Sequence, residues 1–293
     1  MDVNSIAQNH MLADYRRTNS RLSVSLSRIA SGERAAKVQD DPVTWNQVER
    51  LKTNASNLQG YTDNLHRAAA TVRIALDSMS VAQAHMGQAE EKLVAAFEAA
   101  PGSYERSNAL NAYNDLVDLV EDTNNTPDPV ASRLLQDPSV NPDAGDVSVS
   151  AGEDQYEITL HAREIHTGAT GINLPKAGDK IPSDPIGTAP LIADINNATD
   201  AEIQAMIAQF NLSRDTLTER VNLLSLNLHS VDISAEFNQQ FIHRNQNVAT
   251  DLNLVDLNAE AVLTQSLSVR GELSIAGLSG LQETYGMALQ LLK

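Results

Sequence analysis

Cysteine is absent from the 293-residue sequence, which excludes disulfide bonds and thiolate metal sites. Aromatic residues make up only 4%, a composition that suits narrow helix–helix seams better than a broad globular core. No run of about 18 apolar residues occurs, so we expect no membrane-spanning helix. The first five residues lack the basic and then apolar order of a Sec-type signal peptide, so we expect no leader of that kind.

Negative charge dominates the chain, with a formal net charge of −17, and it is concentrated in the middle. Between Asp115 and Glu202 there are 17 acidic residues and four basic ones. Nucleic-acid binding needs a clustered basic face, so that function class is disfavoured. We interpret the acidity as a solvated surface that keeps chains soluble and mutually repulsive.

A seven-residue repeat of apolar side chains runs through the first third of the chain. Pro42 and Pro101 bracket a stretch without proline, in which twelve of the fifteen a and d positions are apolar. These positions are Val48, Leu51, Ala55, Leu58, Thr62, Leu65, Ala69, Val72, Leu76, Met79, Gln83, Met86, Glu90, Leu93 and Phe97. At about 1.5 Å per residue, the pattern predicts one helix of roughly 75 Å, a rod longer than an ordinary domain helix.

Shorter helices are predicted on either side of this long one. The first ends at Gly32, because glycine can take the left-handed conformation that closes a helix. Its heptad track consists of Leu12, Tyr15, Asn19, Leu22, Leu26 and Ile29. Asp41 is expected to cap the long helix, with Pro42 in the first turn. A further helix is predicted over residues 103–122.

The middle of the chain reads differently, because eight of the ten prolines lie in residues 124–190. Long helices are excluded there. Apolar residues alternate with polar ones in two short runs, on either side of the turn-forming segment 151–154. The apolar residues of these runs are Val147, Val149, Tyr156, Ile158 and Leu160. The pattern predicts a β-hairpin in an otherwise loop-rich segment.

Two more helices are predicted after Pro190, the last proline. Thr199 and Glu202 form a capping-box pattern at the start of the first, and Asn238 falls in its apolar seam, where a buried amide can fix register. In the last segment, residues 255–293, apolar side chains surround the helix. A helix that is apolar on all sides must be buried on all sides. Intramolecular partners are too few, so we expect other copies of the chain to supply the burial.

No residue pattern in the sequence indicates catalysis. His161 and His166 are five positions apart, so on a strand they would point to opposite faces, and on a helix they would be poorly placed to share a metal. Neither His-Glu-x-x-His nor Gly-x-Ser-x-Gly occurs. We therefore expect a protein that is not an enzyme, with no catalytic residue, no cofactor and no metal.

Motifs at both ends of the chain resemble those of bacterial flagellins in order, spacing and distance from the termini. The run Arg28-Ile29-Ala30-Ser31-Gly32, followed by Asp40-Asp41, is similar to the family signature in which a helix ends at Ser-Gly and an acidic loop leads to the long helix. Near the other end, Asp256-Leu257-Asn258-Ala259-Glu260 resembles the family's Asp-x-x-x-Glu motif. The closing Leu291-Leu292-Lys293 is similar to its Leu-Leu-basic ending. The resemblance covers roughly residues 1–110 and 195–293.

The fold that the resemblance implies agrees with the periodicity. It is mainly α, with long antiparallel coiled-coil helices from both termini forming a rod and a small β-hairpin and loop region in the middle. Residues 1–42 and 253–293 would form an inner-tube domain. Residues 43–122 and 195–252 would form a rod-like helical domain around it, and the acidic, proline-rich segment 123–194 would face outward.

The function that the resemblance implies is that of a secreted, extracellular structural subunit, a flagellin that polymerises into the flagellar filament for motility. The implied partners are other copies of the chain, the hook-junction and cap proteins, the flagellar type III export apparatus and an export chaperone. Nucleic acid and membrane are not expected partners. The expected assembly interface comprises Leu12, Tyr15, Leu22, Leu26, Ile29, Leu257, Leu267, Ile275, Leu278, Leu281, Leu289 and Leu292.

Two alternative functions stay open at the level of sequence. Asp40-Asp41-Pro42 is closer to the Asp-Asp-Pro of the hook-filament junction protein, a relative with the same terminal architecture. The other alternative is a secreted coiled-coil binding module, such as a needle-tip protein or an adhesin. A binding module would be a monomer with ordered termini.

Overall fold

The computed structural model describes residues 3–124, 128–138, 141–153, 156–168, 170–178 and 191–291. The helices are α1 (Val3–Ser31), α2 (Pro42–Glu98), α3 (Tyr104–Asp122), α4 (Pro129–Leu135), α5 (Asp200–Asn253) and α6 (Leu257–Leu291). The strands are β1 (Val147–Ser150) and β2 (Glu157–Leu160), and a 3₁₀ turn at Ile195–Asn197 precedes α5. The prediction of a mainly α fold with a small β region is confirmed.

Helix ends fall where the sequence supplies caps and breakers. Gly32 follows α1 with φ +73°, the left-handed conformation that glycine adopts without strain. Asp41 accepts a hydrogen bond from the backbone N–H of Thr44 in the first turn of α2 (3.1 Å). At the start of α5, the Glu202 carboxylate accepts from the Thr199 N–H (2.7 Å), and the Thr199 hydroxyl accepts from the Glu202 N–H (3.3 Å). The predicted capping box is confirmed.

The chain divides into two compact units. The first comprises Met1–Asn57 and Phe241–Lys293, and the second comprises Leu58–Gln240. Two of the long helices, α2 and α5, contribute residues to each unit. The three-part division drawn from the resemblance is a different partition of the chain, and it stays a prediction.

In the first unit, α1 packs antiparallel to α6. The hydroxyl oxygens of Ser25 and Thr264 lie 2.7 Å apart. Further along the pair, Met11 lies so close to Gly277 that a Cβ atom there would stand 2.8 Å from the Met11 Cε. Decreasing residue numbers on α1 therefore meet increasing numbers on α6. Small side chains at the contact let the two backbones approach closely.

The seam of α1 differs in phase from the predicted track at every second position. Buried or half-buried side chains recur at Met11, Tyr15, Thr18, Leu22, Ser25 and Ile29. Tyr15, Leu22 and Ile29 match the prediction. The prediction that Leu12 and Leu26 lie in the seam is wrong, because their side chains are 38% and 51% exposed. The track followed the largest apolar side chains, whereas the close approach of α6 selects small hydroxyl-bearing residues.

The second unit has an apolar core to which α2, α3, α4, α5 and the hairpin all contribute. On α2, alanines are buried in this core at every seventh position. They are Ala68, Ala75, Ala82, Ala89 and Ala96. Phe97, which the a/d track assigned to the seam, is 37% exposed. Alanine lets neighbouring elements approach closely, so the buried face of the later turns follows the alanine row.

The predicted hairpin is confirmed, with β1 and β2 antiparallel and Val147 opposite Leu160. Tyr156, expected in the second strand, instead precedes it and is exposed. Asn238 of α5 is buried, as predicted, and its side-chain amide donates to the Ala151 carbonyl at the end of β1 (2.8 Å). The buried amide therefore fixes where the hairpin lies along α5.

One buried arginine connects the segments at one end of the second unit. Arg106 of α3 is fully buried, and its guanidinium donates to the carbonyls of Ala99 (3.0 Å) and Ala198 (2.8 Å). It also donates to the Asp200 carboxylate (2.6 Å). The residues just after α2 and those just before and at the start of α5 thus share one charged donor.

We expect Arg106→Met to destabilise the second unit by about 3 kcal/mol or more, because buried carbonyls lose a charged donor. Urea unfolding followed by circular dichroism checks this. Arg73→Met is the matched control, since the Arg73–Asp232 pair (3.0 Å) is exposed and should contribute less than about 1 kcal/mol. Equal losses in the two variants would contradict the role given to Arg106.

Candidate functional site: the paired terminal helices

The face of α6 that packs on α1 is narrow and partly polar. Its buried or half-buried residues recur at intervals of four and three. They are Glu260, Thr264, Leu267, Gly271, Ser274, Leu278 and Leu281. The helix was predicted to be apolar on all sides. One of its faces instead carries two hydroxyls, a glycine and a carboxylate as well as three leucines. This face is covered within the chain.

The remaining surface of α6 carries large apolar side chains that the described part of the chain leaves exposed. Seven of them in the described part of the helix are between 44% and 70% exposed. They are Leu257, Val262, Leu263, Val269, Leu273, Ile275 and Met287. Single exposed apolar residues are ordinary, but seven on one helix make a candidate interaction surface, even with exposed charged residues such as Arg270 and Glu272 between them. We call this set the outer face of α6.

The structure divides the predicted interface residues into two groups. Leu267 is buried and Tyr15, Leu22, Ile29, Leu278 and Leu281 are half-buried along the α1–α6 seam. Leu12, Leu26, Leu257 and Ile275 are exposed. The side chain of Leu289 and the whole of Leu292 lie outside the described residues. The first group holds the helix pair together, and the exposed group is available to another chain.

The loop after α1 is bonded to the connection between α5 and α6. The backbone N–H of Arg34 donates to the Asn253 carbonyl (2.6 Å), and that of Ala35 donates to the Asn253 side-chain oxygen (2.9 Å). The Val255 N–H donates to the Gly32 carbonyl (3.2 Å). Asn253 and Ala35 are buried. These hydrogen bonds, together with a short antiparallel bridge between Glu33 and Leu254, connect the loop after α1 to the segment between α5 and α6.

Motif residues from opposite ends of the sequence meet beside this joint. Arg28 donates to the Asp40 carbonyl (3.0 Å), and its Nη1 lies 3.9 Å from the Oε1 of Glu260. Ser25 donates to the Glu260 carbonyl (3.4 Å). Glu260 is buried, and within the described residues neither its Oε1 nor the Arg28 Nε has a hydrogen-bond partner. The sequence showed these motifs but not that they pair.

A separate cluster of titratable side chains lies in the acidic segment. The Nε2 of His166 is 3.2 Å from the Asp137 Oδ2 and 3.4 Å from the Glu164 Oε2. His161 is not part of it, since its Nδ1 lies 2.9 Å from the Asp146 carboxylate. Sequence reasoning compared the two histidines with each other and missed this convergence, because Asp137 is brought in by tertiary structure. No sequence signal points to it.

Comparison with known protein families bears on the helix pair. Residues 3–137, which include α1 to α4, match the family model of the bacterial flagellin N-terminal helical region. This match identifies residues 3–137 as the N-terminal helical region of the bacterial flagellin family. The match includes the Arg28–Gly32 motif and Asp40-Asp41. A comparison with curated proteins finds no match.

This match supports a flagellin-like filament subunit. The family is structural and non-enzymatic, and its members self-assemble into the extracellular flagellar filament. The outer face of α6 lies outside the matched residues 3–137. Among the described helices, none combines the length and the hydropathy needed to cross a membrane.

Asp41 anchors the start of α2. The backbone N–H and the hydroxyl of Thr44 donate to its carboxylate, and the Arg34 guanidinium lies 3.1 Å away. These contacts, the Thr44 N–H foremost, hold the pKa of the Asp41 carboxyl below its usual value.

We expect an NMR titration to place the pKa of Asp41 below 3.8, its ordinary value. Thr44→Val should raise this pKa part of the way back, because the hydroxyl donor is lost while the backbone N–H remains. Since the folded-state pKa is the lower one, the stability that Asp41 contributes is present above its unfolded-state pKa. It is lost as the pH falls through the folded-state pKa. An Asp41 pKa of 3.8 in the unaltered chain would contradict this assignment.

Proposed function

We propose that this chain is a flagellin that polymerises into the bacterial flagellar filament for motility, and that neighbouring copies bury the outer face of α6. The observation that carries the proposal is the set of seven exposed large apolar side chains on that helix. When a partner covers apolar surface of this extent, the surface is removed from water and the free energy of the complex is lowered. The family match supplies the kind of partner, which is another copy of the same chain.

The energetics favour a polymer over an isolated dimer. A large apolar side chain gains about 1.5–3 kcal/mol on full burial. The seven side chains of the outer face are already partly buried, so covering them contributes on the order of 5–10 kcal/mol. Association itself costs roughly 4–15 kcal/mol. One neighbour is therefore barely sufficient, whereas in a helical array several neighbours cover different surfaces of each copy, including Leu12 and Leu26, while each added copy pays the association cost once.

The parts of the chain take different roles in this proposal. Residues 1–42 and 253–293 form the inner tube, in which Leu12, Leu26 and the outer face of α6 contact other copies. Residues 43–122 and 195–252 form the surrounding rod-like layer. Segment 123–194 faces outward, which its acidity supports, because repulsion between charged segments is weakest where they are solvated and far apart.

The proposal also includes how the chain reaches its site of assembly. It passes through the flagellar type III export apparatus, aided by an export chaperone that covers apolar surface before assembly. It is then incorporated between the hook-junction proteins and the cap. The exposed outer face of α6 supports a need for such cover, since uncovered apolar rows promote aggregation.

We expect Ile275→Asp to abolish filament formation while leaving the helix content of the monomer unchanged. Ile275 is 52% exposed in the single chain, so an aspartate there is solvated until a neighbour would bury it unpaired. Sedimentation of seeded filaments measures the assembled fraction.

Val130→Asp is the matched control for this substitution. Val130 is also exposed, it lies in the segment proposed to face outward, and an acidic residue is favourable in the first turn of α4. This variant should assemble like the unaltered chain. A normal filament yield from Ile275→Asp, or equal losses in both variants, would refute the assigned interface.

One observation favours the hook-filament junction protein as a second candidate. Asp40-Asp41-Pro42 at the start of α2 is closer to the sequence of that relative. Growth from filament seeds separates the two functions, because a flagellin keeps elongating as monomer is added. A junction protein adds a single layer and stops. We expect filament length to increase with the amount of monomer, and growth that ends after one layer would transfer the proposal to the junction protein.

A further inference from the structure

We propose that Asp137, Glu164 and His166 form a binding site for a divalent metal ion, with Zn²⁺ as the best-suited ion. Each of the three side chains offers a ligand atom, and these atoms lie within 4.8 Å of one another. Imidazole nitrogen and carboxylate oxygen are both ordinary zinc ligands. The proposal concerns the second unit alone and does not depend on the filament role.

The distances in the cluster match a tetrahedral zinc site. Zinc lies about 2.0–2.2 Å from nitrogen and oxygen ligands, so ligand atoms at the corners of a tetrahedron are about 3.3–3.6 Å apart. The His166 Nε2 is 3.2 Å from the Asp137 oxygen and 3.4 Å from the Glu164 oxygen. The Thr170 hydroxyl oxygen is 3.0 Å from the same nitrogen and 3.4 Å from Asp137 Oδ2. The hydroxyl therefore lies beside the three proposed ligands, where it or a water would complete the coordination.

The backbone holds the ligands in place. The N–H groups of Arg163 and Ile165 donate to the carbonyls of Leu134 and Leu135 at the end of α4 (2.6 and 3.0 Å). These two bonds bracket Glu164 and align its segment with the residues that follow α4. Asp137 and Glu164 are therefore brought together before any metal binds, which lowers the entropic cost of binding.

Burial and charge favour a divalent cation. The His166 side chain is only 9% exposed, and both carboxylates are largely buried. With a neutral imidazole, the cluster carries two negative charges, which one divalent ion neutralises. Two arginines lie in the same region. Arg220 donates to the carbonyls of Thr170 and Gly171 and interacts electrostatically with Glu164, so it offsets part of that carboxylate's charge, and Arg163 donates to the Ala162 carbonyl.

Metal binding would change the tautomer of His166. The Gly168 N–H donates to the ring Nδ1 (3.1 Å), so the neutral ring carries its hydrogen on Nε2, facing the carboxylates. A metal on Nε2 requires that hydrogen to move to Nδ1, and the bond from Gly168 is given up.

Calorimetric titration of the untagged full-length chain with Zn²⁺ tests the site. We expect saturable binding of a single ion. His166→Ala should weaken the affinity at least about tenfold, because even partners outside the ligand shell contribute that much. Asp137→Asn and Glu164→Gln, which preserve side-chain shape, should also weaken it. His161→Ala is the matched control and should bind like the unaltered chain.

A second readout is the ¹⁵N spectrum of the His166 imidazole, in which Zn²⁺ should exchange the signatures of the two ring nitrogens. No saturable binding to the unaltered chain would overturn the proposal. Unchanged Zn²⁺ affinity in both Asp137→Asn and Glu164→Gln would also overturn it. These two variants provide the test if His166→Ala loses helix content.

Discussion

The structure depends on one constraint, which is that α6 has more apolar surface than the described part of the chain covers. The seam of α6 against α1 combines three leucines with small and polar side chains such as Thr264 and Gly271. The pair therefore packs closely but covers only part of the apolar surface of α6. Val262, Leu273 and the rest of the outer face remain in water. Such a helix is stable in the long term only where other molecules cover it.

The second unit, in contrast, buries its apolar side chains within its own core. Its helices and hairpin bury leucines, valines and an alanine row around one core, and Arg106 and Asn238 satisfy carbonyls where segments meet. A unit of this kind needs no neighbour to fold. The contrast supports the proposal that the terminal helices form the assembly surface, and the cluster around His166 lies apart from them in the acidic segment.

Much of the fold follows from local signals in the sequence. Gly32, Asp41 and the Thr199–Glu202 box act within a few residues, so the helix ends they predict are found. The phase of the α1 seam was not predictable, because Ser25 enters it only through the close approach of α6. The Arg28–Glu260 pair and the Asp137–His166 contact join residues far apart in the chain, and one sequence holds no signal for such pairing.

The most direct test is a helical reconstruction by electron cryo-microscopy of the purified chain after growth from filament seeds. The account predicts a tube in which α1 and α6 lie innermost and neighbouring copies cover Leu257, Leu273 and Ile275. Tubes in which these side chains still face water, or a chain that forms no tubes at all, would contradict it.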